Sequence, residues 1–350
     1  MSVRPATLAR IEGAHRFGAF YRGYLANHLP MALVALDAMG AGEDAIERFQ
    51  SRYAASHLEP LQPAAFEIAP GSEDAHYGDA SAFPAWVAYF DKRIRAEGVT
   101  AVLAGVLDAL MASVESGAFH GAIRTAYALE SGSSREMAHA LAYWSAAREV
   151  PDDLPAIAGH ESPTAILAAL SRDAEFAGRR APGRNIAMRT RAVMARPDFR
   201  RYVERVDAEE LSIEALAHSM IRAYAATGNF TLLHAVTGCH AARLLVRFAR
   251  DREAAVRRLW VALAAAYAGE GAPAIEGWHL DGSETLDWPE IHARAARCDD
   301  EHDVKLAYTC WREWQESGDD LYRRVASAQV CNALTPPQPS PRGEGEILAR

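Results

Sequence analysis

The stretch RCDDEHDVKLAY, from Arg297 to Tyr308, places His302 and Lys305 three residues apart. On a helix this spacing puts both side chains on one face, one turn apart. The acidic residues before them and the apolar residues after them are typical of a helix N-terminus that leads into a buried face. The spacing therefore predicts an imidazole and an amine side by side at the start of one helix.

Lys305 is unusual because the sequence contains only one other lysine, Lys92, among 37 basic residues. Arginine does not lose its proton in proteins, so it cannot act as a nucleophile, form a Schiff base or form a carbamate. A chain that uses arginine almost everywhere favours a chemical role for a lysine that it keeps. The alternative is a surface cation that happens to be lysine.

Four of the thirteen histidines lie in apolar, small-residue settings at expected helix starts or breaks. They are His28 in NHLP, His120 in FHG, His234 in LLHAVTG and His302 in EHDVK. A neutral imidazole tolerates an apolar pocket and binds transition metals, so these residues are candidate metal ligands. Each alone is more simply explained as a hydrogen-bonded core histidine, but together with Lys305 they predict a site. His240 follows His234 by six residues, which turns it to another side of a helix, so the two are not expected to bind one ion.

The sequence also contains the ExxH spacing that di-iron carboxylate proteins use. The pairs are Glu12/His15, Glu73/His76 and Glu136/His139. With this many glutamates and histidines, about one such match is expected by chance, so the motif is weak. Glu73 falls in an expected loop, which leaves the other two pairs as a di-iron alternative. A second alternative is a helical interaction protein in which the histidines are core residues.

The elements that position these residues are expected to be helices. Alanine dominates a hydrophobic share of 50%, helical spacing recurs along the chain, and no alternating strand or βαβ rhythm is found. We therefore predict an all-α protein, a single large multi-helix domain over residues 1–334 with a metal site in its interior. The first helix is expected from about Thr7 to Ala26, with a break near His28 because a proline follows shortly after, and His120 is expected to open a helix. Residues 335–350 are rich in proline and glycine and are predicted to be disordered.

Composition argues against several functions and partners. The net charge of −9, without a basic cluster, argues against a nucleic-acid partner. The four cysteines form no CxxC or metal-finger spacing, which is typical of reduced thiols in a cytoplasmic protein. Neither an apolar leader nor a membrane-spanning run is found. Without a GxGxxG after a strand, a GK[ST] loop or a GxSxG motif, no Rossmann-type nicotinamide or flavin site is expected.

Taken in order, several segments resemble the questin oxidase-like family. They are NHLPMALVAL, SGAFHGAIRTAYALES with AHALAYW, LLHAVTGCHA and finally EHDVKLAY. The resemblance runs from about Phe20 to Val330. Fungal members oxidise anthraquinone-type polyketides and open the quinone ring with molecular oxygen. The resemblance therefore implies an oxygenase, an oxidoreductase that uses molecular oxygen as co-substrate and acts on a small polycyclic aromatic or quinone.

The same resemblance implies a mononuclear non-haem Fe(II) held by four histidines and a carboxylated lysine. Matched motif by motif, these are His28, His120, His234, His302 and Lys305. Carboxylation by carbon dioxide turns a cation that repels the metal into an anionic oxygen ligand. Five protein ligands leave one position open on an octahedral ion. Asp299, Asp300 and Asp303 are candidates to accept the second ring proton of a ligand histidine.

Overall fold

The computed structural model describes residues 3–22, 25–149, 153–275 and 284–334. Within these ranges the chain forms sixteen α-helices and one antiparallel pair of two-residue strands. The predicted all-α class and the single multi-helix domain are therefore confirmed. The tail that the sequence predicts to be disordered, residues 335–350, lies outside the described residues.

The first eight helices are α1 (Pro5–Ala14), α2 (Leu29–Ala38), α3 (Glu43–His57), α4 (Phe83–Glu97), α5 (Val99–Met111), α6 (His120–Ser131), α7 (Ser134–Ala147) and α8 (Pro163–Leu170). The remaining eight are α9 (Ile186–Met194), α10 (Pro197–Val203), α11 (Ile213–Thr227), α12 (Phe230–Leu245), α13 (Arg252–Gly269), α14 (Trp288–Ala295), α15 (Glu301–Ser317) and α16 (Asp320–Leu334). The strands are β1 (Phe20–Tyr21) and β2 (Leu25–Ala26).

Four helices pack against one another in a closed ring: α2 on α6, α6 on α12, α12 on α15, and α15 on α2. They share the one continuous hydrophobic core of the domain. α2 is buried along nearly its whole length, and almost all of α6 and α12 is buried as well. This ring of helices is the part of the fold that carries the predicted site residues. In the part of the chain that the structure describes, no helix combines the length and the apolar character needed to span a bilayer.

The predicted helix from Thr7 to Ala26 is wrong in its second half. α1 ends at Ala14, and the chain then forms the β1–β2 pair. The backbone N–H of Gly18 donates to the carbonyl of Glu59 at 2.9 Å, so contacts with the loop after α3 satisfy the backbone in place of a helix. His28 is therefore reached from extended chain, and it caps the N-terminus of α2.

The first part of α12 and the whole of α14 are among the helical segments that the sequence does not predict. α12 continues through Gly238, and this glycine lets the helix approach the ring of Phe119, whose nearest carbon would lie 3.3 Å from an added Cβ. α14 begins at Trp288, with the Asp287 side chain accepting a hydrogen bond from the backbone of Glu290. In both cases the local sequence is a weak signal, because one segment contains glycine and the other follows a long loop.

Candidate metal centre

The structure brings the five predicted site residues together inside the ring of helices. The ring centroid of His28 lies 4.5 Å from that of His120 and 4.8 Å from that of His302. His234 lies 4.8 Å from His120 and 5.2 Å from His302, again between centroids. Nζ of Lys305 is 3.3 Å from Nδ1 of His28. We call His28, His120, His234, His302 and Lys305 the histidine cluster.

Three of these histidines lie at or next to the N-terminus of a helix. His28 is the N-cap of α2, His120 is the first residue of α6, and His302 is the second residue of α15. A helix N-terminus disfavours a positive charge, so each position favours a neutral imidazole. His234 is the fifth residue of α12, and its side chain enters the cluster from the buried side of that helix.

A strained turn positions His120. Gly117, Ala118 and Phe119 all have positive φ, between 57° and 66°. A left-handed conformation costs a non-glycine residue about 1–2 kcal/mol, so packing elsewhere must hold it. Phe119 supplies that packing, since it is fully buried and lies against α12 at Gly238. The turn presents the carbonyl of Gly117 to Nδ1 of His120 at 2.5 Å.

The Nδ1 atom of every histidine in the cluster meets an oxygen. The pairs are His28 with Glu301 Oε1 at 3.0 Å, His120 with the Gly117 carbonyl, His234 with the Phe230 carbonyl at 2.9 Å, and His302 with Asp300 Oδ1 at 2.8 Å. Carbonyl and carboxylate oxygens accept hydrogen bonds, so Nδ1 carries the proton in the neutral rings of His120, His234 and His302, and the lone pair is on Nε2. Nδ1 of His28 differs, because it lies 3.0 Å from the Glu301 carboxylate, an acceptor, and 3.3 Å from Nζ of Lys305, a donor when it is charged.

Two Nε2 atoms of the cluster, in His28 and His120, are buried and have no hydrogen-bond partner among the described residues. His28, His120 and His302 each offer a ring nitrogen within 4.8 Å of the others, whereas His234 lies outside that spacing. An unpartnered buried nitrogen costs free energy. An imidazole anchored through Nδ1 with Nε2 free is the arrangement that metal-binding histidines adopt. The residues therefore fit a metal ion.

Burial sets the protonation of the cluster. It lowers the pKa of His28, His120 and His234 well below the usual histidine range, and the neighbouring cationic groups lower it further. The neutral form that results is the form that binds metals. Lys305 is 1% exposed, and burial lowers its pKa to about 8, while Glu301 acts in the opposite direction.

The structure distinguishes among the three aspartates that the sequence offers as proton acceptors. Asp300 caps α15 and accepts from both the backbone N–H and Nδ1 of His302, each at 2.8 Å. Asp299 pairs with Arg52 on α3, and Asp303 accepts from a glutamine of α16. Only Asp300 among the three therefore orients a histidine of the cluster.

Glu301 is a site residue that the sequence analysis does not single out. Its side chain is 10% exposed, and its Oε1 lies 3.0 Å from Nδ1 of His28 and 3.6 Å from Nδ1 of His302. A second contact that the sequence does not predict is the ring of Phe230, whose centroid is 4.7 Å from those of His234 and His302. Both residues could have been found from their proximity in the sequence to predicted ligands. Glu301 precedes His302, and Phe230 lies one helical turn before His234.

Residues of two ExxH pairs do meet, but in a different kind of cluster. Glu136 binds Arg124 Nε at 2.7 Å and His15 Nε2 at 2.8 Å, and the His15 ring stacks on His139 with centroids 4.2 Å apart. Glu12, the fourth residue of the proposed di-iron set, is exposed. We call His15, Arg124, Glu136 and His139 the ion-pair cluster. Its guanidinium neutralises the carboxylate that a di-iron site needs, so the geometry argues against that alternative.

Comparison with known proteins agrees with the resemblance seen in the sequence. A family model described as questin oxidase-like matches residues 25–310, a range that contains the whole histidine cluster. No curated protein matches the chain. Since the model covers most of the chain, membership follows. The chain belongs to the questin oxidase-like family, which indicates an oxidoreductase that acts on a small molecule.

Proposed function

We propose that the protein is a mononuclear non-haem iron oxygenase that oxidises a polycyclic aromatic or quinone-type substrate and opens its ring with molecular oxygen. Family membership supports the class of reaction. The observation that carries the proposal is the cluster of four imidazoles, three of which are anchored through Nδ1 to an oxygen, which leaves their Nε2 atoms available. Imidazole nitrogens and an anionic oxygen are suitable donors for Fe(II).

The proposed ligands are the five residues of the histidine cluster, with Lys305 in its carboxylated form. Four neutral imidazoles leave the full charge of a divalent ion in place, and a buried ammonium beside it would be strongly repelled. The free amine of Lys305 reacts with carbon dioxide: the N–C bond forms, one proton leaves the nitrogen, and the product is an anion. This modification removes the repulsion and supplies an oxygen donor.

A bound iron ion supplies the redox chemistry that activates oxygen. The chain holds and orients the ligands and limits the access of water. Asp300 holds the ring of His302 in the tautomer that a metal requires, and the carboxylate of Glu301 lies 3.0 Å from Nδ1 of His28. Among the four histidines, His302 is the most exposed, with a side-chain exposure of 13%.

Metal content tests the ligand assignment first. About one iron per chain in the purified protein supports the proposal, whereas about two would favour the di-iron alternative. A protein that takes up no iron would overturn the proposal. Oxygen uptake with hydroxylated anthraquinones, measured with iron-loaded and metal-free protein, then tests the substrate class. Labelled oxygen gas shows whether one or both atoms enter the product.

The carboxylated lysine has a separate spectroscopic test. Zinc-loaded protein prepared with ¹³C-bicarbonate should show a carbamate carbon signal by NMR, and Lys305→Arg protein should not. A zinc-loaded wild-type protein without that signal would remove the carboxylated lysine from the ligand set and leave the histidines to be tested alone.

A further inference from the structure

The ring of Phe230 combines exposure with contact to the histidine cluster. Phe230 is 54% exposed, which is the highest value among the large exposed apolar residues in the described ranges. A single exposed apolar residue needs no explanation by itself. Phe230 differs because its ring lies against both His234 and His302, with centroids 4.7 Å apart in each case.

The backbone of Phe230 is held rigidly. The side chain of Asn229 accepts from the backbone N–H groups of Thr231 and Leu232, at 2.8 and 3.2 Å, and caps α12. The hydroxyl of Thr231 donates to Glu270 at 2.8 Å. The carbonyl of Phe230 accepts from Nδ1 of His234. The position of the ring is therefore defined by a fixed backbone on both sides.

The backbone carbonyl and the side chain of Phe230 have separate roles. The backbone carbonyl orients His234, and any amino acid other than proline keeps that carbonyl in the same helical position. The side chain takes no part in that hydrogen bond. The exposed ring is therefore available for a role other than the orientation of His234.

The cluster is most open at the side where Phe230 lies. Lys305 and His234 are each 1% exposed, and His28 and His120 are also buried. His302, which touches the Phe230 ring, has a side-chain exposure of 13%. A molecule that approaches the cluster from solvent through the described residues therefore meets the edge formed by Phe230 and His302.

We propose that Phe230 is a substrate-positioning residue: its ring stacks on a flat aromatic substrate and holds it beside His302. This inference rests on the proposed function, because it takes the substrate class from it. Aromatic pairs prefer offset or edge-to-face packing and gain affinity beyond the area that they bury. Loss of such a contact should weaken binding of a flat aromatic ligand about tenfold.

The test uses cobalt-loaded protein and two probes. One is 1,8-dihydroxyanthraquinone, a flat aromatic probe, and the other is azide, a small anion that reports on an open metal position and cannot stack. The variants are Phe230→Ala and Phe230→Leu, and the leucine keeps apolar bulk without a ring. Phe66→Ala is the matched control, since Phe66 is 37% exposed and its ring stacks on His76 rather than on the cluster.

We expect Phe230→Ala to weaken the anthraquinone about tenfold and Phe230→Leu to weaken it less, while Phe66→Ala binds like wild type. Cobalt content and azide affinity should stay unchanged in all three. If Phe230→Ala binds the anthraquinone as wild type does, the inference is wrong and the proposed function still stands. If cobalt or azide binding falls in parallel, the ring has a structural role and the inference is wrong.

Two outcomes concern the wild type. Normal cobalt and azide binding without any binding of the anthraquinone would overturn both the proposed substrate class and the role of Phe230. A wild-type protein that takes up no cobalt would overturn the ligand assignment, and titration of the metal-free variants with the anthraquinone would then decide the role of Phe230 by itself.

Discussion

The histidine cluster and the ion-pair cluster are built from similar residues and are both buried, yet they suit different purposes. In the ion-pair cluster, Arg124 donates two hydrogen bonds to Glu136, and His15 contacts the same carboxylate. In the histidine cluster, oxygens hold three of the rings through Nδ1, and two buried Nε2 atoms have no partner among the described residues. Unpartnered buried nitrogens also occur in the ion-pair cluster, on His15, Arg124 and His139, so they do not separate the two clusters. The ion-pair cluster pairs a carboxylate with a guanidinium, whereas the histidine cluster groups four imidazoles around a lysine.

The difference shows that a guanidinium is the feature that separates the two. A buried carboxylate that binds arginine has its charge neutralised and its oxygens occupied, so a divalent ion gains little there. Glu313 on α15 repeats this arrangement with Arg243 and His240 on α12. The ExxH spacing cannot reveal such an arginine, because the arginine comes from a different helix.

The largest expected effect is the loss of metal from a Lys305→Arg variant. The guanidinium keeps the positive charge and cannot react with carbon dioxide, so it makes the histidine cluster resemble the ion-pair cluster. Lys305→Ala should recover part of its iron when propionate is added, because the carboxylate can fill the space that the lysine leaves. Iron content measures both effects, and Lys92→Arg on the surface of α4 is the control. Lys305→Arg protein that is active and loaded with iron would refute the carboxylated lysine.

The next test compares two histidines of α12. His234→Ala should lose most of its iron, as should the corresponding variants of His28, His120 and His302. His240→Ala should keep its iron and lose about 1–3 kcal/mol of stability, because it leaves a buried hydrogen-bond partner unsatisfied. Elemental analysis and thermal unfolding give the two readouts. Equal iron loss in His234→Ala and His240→Ala would contradict the assignment of His234, rather than His240, as a ligand.

Substitution of two buried glutamates, Glu136 and Glu301, should change two different properties of the protein. Glu136→Gln should cost about 3–5 kcal/mol of stability, because it leaves the guanidinium of Arg124 without its carboxylate, and should leave metal content intact. Glu301→Gln should weaken metal affinity about 10- to 100-fold through the ring of His28, with little effect on stability. Denaturant unfolding and titration with cobalt measure the two effects. If both variants change only stability, or both change only metal affinity, the proposed difference between the two glutamates is wrong.

The last expected effect is a pH dependence of stability, which needs no substitution to be seen. Burial alone would raise the pKa of Glu136, but Arg124 and His15 outweigh burial and lower it to about 2. Its contribution to stability is therefore present above pH 4.5, the usual pKa, and is lost as the pH falls towards 2. Glu115, before α6, shows the opposite case, because burial raises its pKa to about 7.

For Glu115 the folded protein retains a proton that the unfolded chain releases above pH 4.5. Stability should therefore fall as the pH rises from 4.5 to about 7, by up to about 3 kcal/mol. Glu115→Gln removes this dependence and should be more stable than wild type at pH 8. Unfolding free energies at several pH values check the prediction, and a variant with the wild-type slope would contradict it.

The sequence predicts the helix starts at His120 and close to His302 and a break near His28, because a glycine, a run of acidic residues and a proline are local signals. The end of α1 at Ala14 is missed because contacts with residues distant in the sequence decide it. The proton acceptors of three histidines are local: His120 and His234 meet carbonyls three and four residues earlier in the chain, and Asp300 is among the three aspartates that the sequence offers. The contacts of His28 with Glu301 and Lys305 are missed, because they depend on how α2 and α15 pack.

His28 and Lys305 meet although 277 residues separate them in the chain. Of the four helices in the ring, α15 is the last to leave the ribosome, so the apolar faces of α2, α6 and α12 wait for it during synthesis. Contacts between such distant segments form slowly, because the intervening chain must first be ordered. We therefore expect closing of the ring and assembly of the cluster to occur together and late in folding, so that an incompletely folded chain presents only isolated histidines.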